Sequence, residues 1–430
     1  MTEHHPELRP GAGRDGQAPG IVDKKRSNDM TPRQALLTLN AGSSSLKFAV
    51  FGTDDQAERL AYGAVERIGL DGSVLRLFGD AGQGLVSHSV PIPTHQRALK
   101  LVLEQIDAMA ADFELVAVGH RVAQGGPDCD CSERITPALM AQLRGLVHLA
   151  PLHLAANIAG IEAVEAARPE LAQIACYDTA FHNGLPPVAQ MTGLPRRFST
   201  PEIRRYGYHG LSYEYILSSL RADGVDVEAE RIVILHLGNG ASICAIAGGQ
   251  SVETTMGFST ASGLPMGTRS GDLDPGLIDY LQVQGRIDAK ELAGFLYKGS
   301  GLKGLSGISR NMADLLASQD PAAAEAIAYY CYHARRHLVG LTASISGVDR
   351  IVFTGGIGAN APQVRAAICE GLGYLGVDLD RDRNQSGSIK ISSDNARVTV
   401  DARVTDEEEM IARHVREHVP CVSPKQQEAC

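Results

Sequence analysis

The chain has 430 residues, more than a single average core accommodates, so two domains are expected. Its composition, 44% hydrophobic and 21% charged, is that of a globular protein, and a formal net charge of −10 leaves no dominant basic face for nucleic acid. No apolar run is long enough to span a bilayer, and the eight cysteines include no C-x-x-C pair, which predicts reduced thiols in a cytoplasmic protein without a zinc framework.

Residues 1–33 contain glycines and the basic cluster Lys24-Lys25-Arg26 but no apolar stretch of a signal peptide, and they read as a disordered extension. Leu36–Leu39 and Leu46–Phe51 are apolar strands around the turn Asn40-Ala41-Gly42-Ser43-Ser44-Ser45, with Lys47 just beyond. Small residues, hydroxyl donors and one cation suit a phosphate, although an ordinary Gly/Ser hairpin has the same composition. Further short strands are expected over 61–77 and 84–90, then an amphipathic helix over Thr94–Ala110. The strand Glu114–Val118 leads into Gly119-His120-Arg121, which puts Arg121 at the end of a strand, where α/β sheets bind ligands. Helices follow at Pro137–His148 and His153–Ala167, and the strand Ala172–Tyr177 delivers Asp178.

The second half opens with a helix over Ser212–Ala222 and a second hairpin, Arg231–Ala247, whose turn is again Gly-Asn-Gly. A strand–turn–strand unit occurring once in each half predicts a duplicated nucleotide-binding core. Residues 253–276 form a Gly-rich polar segment holding Arg269, with helices at Asp288–Leu296 and Pro321–Ser346 beyond it. The strand Arg350–Phe353 opens into the Gly-rich loop Thr354–Asn360, a helix starts near Pro362, a strand covers Arg397–Val400, and Thr405-Asp406-Glu407-Glu408-Glu409 caps a final helix reaching about Val419. No P-loop is present; Gly299–Gly304 fits G-x-G-x-x-G but follows a helical stretch instead of a strand.

The motifs NAGSSSLKF, GHRVAQGG, LAPLH, YDTAFH, YGYHG, HLGNGAS, TMGF, GTRSGDLDPG, FTGGIGAN and TDEEEMIAR occur in that order. In these the chain closely resembles the acetate/propionate (short-chain acyl) kinases of the sugar kinase–Hsp70–actin superfamily, over roughly residues 34–420. The resemblance implies an α/β, two-domain, duplicated actin-like (ribonuclease H-like) fold with an interdomain cleft. Its first domain would be residues 34–180 closed by a C-terminal helix at 409–420, its second 181–408, with 421–430 a tail. It implies a phosphotransferase that moves the γ-phosphoryl group of ATP to acetate, with propionate or a broader set of short carboxylates as the alternative acceptor. A non-enzymatic ATP-driven scaffold is the remote alternative. Mg²⁺ (or Mn²⁺) as cofactor and a homodimer are implied as well.

By the same resemblance Asp178, Arg121, His209, Arg269 and His153 are catalytic. Lys47, Ser43, Ser45, His236, Leu237, Gly238, Asn239, Gly240, Asn311, Gly356, Ile357, Gly358 and Asn360 would bind the nucleotide, and Asn40 and Glu407 the metal. Arg121, Ala123, Leu152, Tyr208 and Thr260 would line the acyl pocket. Paired guanidinium forks suit multi-oxygen anions, and a phosphoryl transition state needs fixed positive charge at its equatorial oxygens. Two residues keep structural alternatives: His153, which Leu154 follows where the family has Asn, and Glu407, which also suits the acidic first turn of a helix. Ala123, Tyr208 and Thr260 replace the family's Val, Phe and Pro, which predicts a wider, more polar acyl pocket. Asn311 and Ala313 replace the charged pair of the adenine side, and Ala359 stands where related loops carry Glu.

Overall fold

The computed structural model describes residues 33–42, 44–54, 58–80, 82–109 and 113–419. The chain separates into units Met1–Pro32 and Arg33–Cys430, and both of its sheets belong to the second. The expected disorder of the extension and the tail at 421–430 lie outside the described residues, but Arg33 itself begins a strand and bonds Asp54 and Glu58.

The first half folds into an eight-stranded sheet. Its strands are β1 (Arg33–Ala41), β2 (Ser45–Gly52), β3 (Arg59–Glu66), β4 (Val74–Gly79), β5 (Gly84–Ser89), β6 (Phe113–Val122), β7 (Glu133–Arg134) and β8 (Ala172–Tyr177). They lie in the order β5-β4-β3-β2-β1-β6-β8-β7. The second half builds a five-stranded sheet from β9 (Ile232–Leu237), β10 (Ala241–Ala247), β11 (Gln250–Thr254), β12 (Arg350–Thr354) and β13 (Thr399–Ala402), in the order β11-β10-β9-β12-β13.

The duplication expected from the paired hairpins is visible in these orders. In each sheet an antiparallel meander (β3-β2-β1, then β11-β10-β9) is extended by two strands parallel to its first member: β6 and β8, then β12 and β13. Both first strands are central and covered on both faces, which is why they read as unbroken apolar runs. Ala35, Leu37 and Leu39 enter one core cluster with the helix His95–Ala108, while Leu36 faces the C-terminal helix Glu407–His418. In the second sheet Val233, Leu235 and Leu237 pack with the 24-residue helix Pro321–Ser344, and Ile232 and Ile234 with the helix Gly210–Ala222.

Several boundaries differ from those the sequence predicts. Parallel pairing with β8 extends β6 through Arg121 to Val122. Within the expected capping stretch it is Asp406 that caps the last helix, accepting the Glu409 N–H at 2.9 Å. The expected Gly-rich loop after β12 is a short helix, Gly355–Asn360, preceding the helix Pro362–Cys369. Arg365, buried between them, donates to the carbonyls of Gly358 (2.9 Å) and Ala359 (2.8 Å) and holds that turn helical. Gly301 follows the helix Glu291–Lys298, so its formal dinucleotide motif has no strand before it.

Candidate active site

Because β1, β6 and β8 run parallel, their C-terminal ends meet at one edge of the first sheet. That edge carries Asn40, Arg121 and Asp178. Arg121 donates from Nε to Asp178 Oδ1 (2.8 Å), from Nη2 to Asp178 Oδ2 (2.5 Å) and from Nη1 to Asn40 Oδ1 (2.9 Å). Asn40 Nδ2 in turn donates to Glu407 (2.9 Å) and Glu408 (3.1 Å), and Glu407 lies 3.8 Å from Arg121. The C-terminal helix therefore brings its acidic first turn from the end of the second sheet onto the edge of the first.

The charges reinforce one another. Burial works against the charge on Arg121, but Asp178 and Glu407 more than restore it and raise its pKa above the ordinary value. Burial would raise the Glu407 carboxyl too; Arg121, His236 and Lys47 hold it below the usual range. Glu408, half-buried beside it, is pushed up by desolvation and by its neighbouring carboxylates.

His209 is set into this space by a strained turn. Its own φ is +64°, in the left-handed region, and it stands immediately before the helix Gly210–Ala222. The glycines flanking Tyr208-His209 are required. A Cβ on Gly207 (φ +77°) would lie 2.5 Å from the His182 ring, and one on Gly210 would lie 2.5 Å from the Asp178 carbonyl oxygen. The Gly210 N–H donates to that same carbonyl at 2.9 Å, which locks the His209 turn to Asp178. The imidazole stacks on His236 at 4.2 Å. Burial, then His236, Arg121 and Arg269, push the His209 pKa well below the ordinary value; burial, chiefly, lowers His236 to about 4.

Arg269 has a different environment. Its guanidinium touches the Thr260 carbonyl (3.2 Å), Met266 Sδ (3.6 Å) and His153 Nε2 (3.4 Å), and no carboxylate pairs with it among the described residues. Burial and the proximity of Arg121 lower its pKa. His153, at the start of the helix Pro151–Ala167, is held to about 4 by burial and then by the Arg269 and Arg121 charges, so it is neutral and accepts. A Cβ on Gly240 would lie 3.2 Å from His209 Nε2 and 3.5 Å from Arg269 Nη1. His209 and Arg269 thus converge on Gly240, where any side chain would crowd both.

The second sheet supplies the other wall. Its own C-terminal edge holds the turn Gly238–Gly240 between β9 and β10 and the start of the helix Gly355–Asn360. A Cβ on Gly238 would lie 4.0 Å from the Gly356 nitrogen, and a Cβ on Gly356 would meet nothing within 4 Å. Leu237, Gly238, Asn239, Gly356, Ile357, Gly358 and Asn360 are thereby collected around one region, as backbone that an anion can approach. Asn360 spends its side chain on the Gly356 carbonyl (3.0 Å), and Asn311 its amide on Asp314 (3.3 Å). Lys47 is exposed and sits opposite Asn40 in the β1–β2 pair, with Ser45 at the start of β2. Ser43 and the side chain of Leu152 lie outside the described residues.

Tyr208 departs from the expectation of a more polar pocket. Its hydroxyl donates to the Phe258 carbonyl at 3.0 Å and accepts from Gln124 at 3.4 Å, so the protein already satisfies it. Ala123 is buried in the bend immediately after β6, two residues past Arg121; its N–H donates to Asn157 Oδ1 at 3.1 Å. Sequence reasoning missed Asn157, Gln124, Glu408 and Ser242. The hairpin register was the available signal for Ser242: closing β9 to β10 at Leu237–Ala241 places Ser242 opposite His236, on one face of the sheet.

For a divalent cation, the donor set is oxygen-rich but sparse. Asp178, Glu407 and Glu408 outnumber the Arg121 and Lys47 charges beside them, while no group of three His, Cys, Asp or Glu among the described residues is placed to enclose an ion. That fits Mg²⁺, which keeps its waters and is bound through one or two carboxylates together with phosphates.

A sequence profile of the acetokinase family matches residues 35–413. Acetate kinase of Methylocella silvestris is 44% identical over 392 residues, 89% of this chain and 97% of its own. Propionate kinase of Citrobacter rodentium is 39% identical over 388 residues, 88% of this chain and 96% of its own. Among solved structures, Porphyromonas gingivalis acetate kinase matches with a TM-score of 0.78 and 34% identity, covering 88% of this chain and 98% of its own. A propionate kinase from Francisella tularensis matches with a TM-score of 0.82 and 30% identity, over 89% and 98%.

Proposed function

The chain belongs to the acetokinase family, and from that premise we propose that it transfers the γ-phosphoryl group of ATP to acetate, reversibly, giving acetyl phosphate and ADP. The observation that carries this reading is Arg269: a half-buried guanidinium without a carboxylate partner among the described residues, converging with His209 Nε2 on the Gly240 turn. Such a cation is a standing site for an anion.

In the reaction an acetate oxygen bonds to the γ-phosphorus as the bond from that phosphorus to the β,γ-bridging oxygen breaks, and the electron pair leaves with ADP. Acetate is already ionised at neutral pH, so no base is required. Arg269 neutralises charge spreading over the equatorial oxygens, and His209 stabilises it as a hydrogen-bond donor. Arg121 is engaged by Asp178 and Asn40, and acts as a fixed positive charge beside them. The turn Gly238–Gly240 and the start of the helix Gly355–Asn360 offer backbone N–H groups to the nucleotide phosphates. Mg²⁺ would be held by the phosphates with Glu407 and Asn40 nearby, supplying further charge neutralisation.

Propionate is the second reading of the acceptor, favoured by the small, buried side chain of Ala123 in the bend just past Arg121. A homodimer and a cytoplasmic location belong to the same proposal. The exposed apolar side chains Leu277, Tyr280 and Val283 of the helix Pro275–Val283 support the first, and the free cysteines among the described residues support the second. Trapping the product with hydroxylamine, in the presence of ATP, Mg²⁺ and a panel of carboxylates, tests the reaction and ranks the acceptors. Absence of acetyl and propionyl hydroxamate alike would refute it.

A further inference from the structure

Beneath the His209 ring runs a short chain of hydroxyls. His209 Nδ1 lies 2.8 Å from Ser242 Oγ, and Ser242 Oγ lies 2.5 Å from the Tyr213 hydroxyl. Ser242 and Tyr213 are both fully buried, and neither hydroxyl has any other partner among the described residues. Tyr213 is held in place by the rings of Phe181 and His182 and by the apolar cluster around the helix Gly210–Ala222.

The protons in this chain can be counted. The tyrosine hydrogen has one acceptor within reach, Ser242 Oγ. If Tyr213 donates there and the serine hydrogen is to have an acceptor as well, that hydrogen points at His209 Nδ1, which then carries a lone pair; a protonated Nδ1 would strand the serine hydrogen instead. The single ring proton is left on Nε2, the nitrogen turned toward the Gly238–Gly240 turn and toward the side of Gly240 that Arg269 Nη1 also approaches. In the opposite arrangement Nδ1 is protonated, Ser242 accepts from it and donates to Tyr213, and the tyrosine hydrogen is stranded in the core. A doubly protonated ring strands the same hydrogen. An unsatisfied buried polar group is costly enough to favour the first arrangement on the order of tenfold or more.

We propose that Ser242 and Tyr213 are positioning residues that fix His209 as its Nε2–H tautomer, so that it offers a hydrogen-bond donor to the transferring phosphoryl group. The inference rests on the phosphoryl transfer proposed for this site. A lone pair on Nε2 would face anionic oxygens and repel them; an N–H there stabilises them. Because Ser242 stands opposite His236 on the β9–β10 face and His236 stacks on His209, the same hairpin that forms the phosphate turn also sets the ring's orientation.

The test is ring ¹⁵N spectroscopy of the full chain labelled in histidine, with His209 assigned by its absence from His209→Gln. Long-range ¹H–¹⁵N correlations should show a protonated Nε2 and an unprotonated, hydrogen-bonded Nδ1. A proton on Nδ1, or ring nitrogens averaged between the tautomers, would overturn the proposal without any substitution at Ser242 or Tyr213 and without reference to turnover. In the hydroxamate assay Ser242→Ala should lower kcat about tenfold with KM for acetate and ATP within about twofold, Tyr213→Phe should fall between it and the parent, and Ser242→Thr should restore kcat. Unchanged kcat in a folded Ser242→Ala chain, or a loss confined to KM, would also overturn it. A parent chain that forms no acyl hydroxamate would instead refute the proposed reaction, leaving the tautomer to be decided by the spectra.

Discussion

Arg121 and Arg269 stand in one site, yet removing them should have opposite consequences for folding. Arg121 makes a two-pronged ion pair with Asp178, whose side chain is 3% exposed, and lies against Glu407. Arg121→Ala leaves those carboxylates buried without their cation, a change that costs about 3–5 kcal/mol in comparable buried pairs. Arg269 has only a carbonyl, a thioether and a neutral histidine around it among the described residues. Arg269→Ala removes a desolvated, uncompensated charge, so stability should hold or rise while kcat falls on the order of 10² to 10³, the scale of one lost transition-state donor. Arg269→Lys keeps the charge but loses the planar fork, and should recover only part of that activity. Urea unfolding at neutral pH beside the hydroxamate assay separates the two quantities. Near-parent turnover in Arg269→Ala, or a loss of stability matching that of Arg121→Ala, would refute the assignment of Arg269 as the site's unpaired cation.

The same geometry sets three other outcomes. His120, His153, His182 and His236 are each lowered to about 4, chiefly by burial, whereas in the unfolded chain they titrate near the ordinary 6.5. The unfolded state therefore binds more protons between those values, and stability present above pH 6.5 should be lost toward pH 4 at about 1.4 kcal/mol per pH unit for each histidine. His414, raised by Glu214 against its burial, contributes with the opposite sign; an unfolding free energy that stays flat from about pH 7 to about pH 5.5 would contradict the burial of four neutral histidines. Arg365→Met strands the carbonyls of Gly358, Ala359 and Asn384, and should destabilise on the order of 3 kcal/mol by urea unfolding while raising KM for ATP more than for acetate. Ala123→Val should penalise propionate selectively, by about tenfold in kcat/KM relative to acetate, and an unchanged ratio would remove residue 123 from the acyl end.

What the sequence displays and what it conceals divide along a physical line. Asn40, Arg121 and Asp178 are legible because each follows an apolar run, and parallel strands present their C-terminal ends together. The duplication is legible because its hairpins are local. The helix Gly355–Asn360 is not: its composition reads as a breaker, and it is helical because Arg365, on the next helix, fills its terminal carbonyls. Tyr208 reads as a new hydroxyl in a pocket until the Phe258 carbonyl, fifty positions on, is found to take its proton.

The isolation of Arg269 is hidden for the same reason, since an arginine's lack of a partner is a property of every chain segment packed around it. The C-terminal helix shows how far such dependence extends. Ile411 and Val415 lie where a side chain on Gly119 would be, 2.5 Å from its Cβ position, so that glycine lets the helix sit down on β6 just before Arg121. Glu407 and Glu408 reach Asn40 only because that packing brings the end of the second sheet's chain back across the first. The acidic turn beside the arginine is therefore set by a glycine almost three hundred residues earlier, and Gly119→Ala should disturb the Asn40–Glu407 contact before it disturbs the Arg121–Asp178 pair.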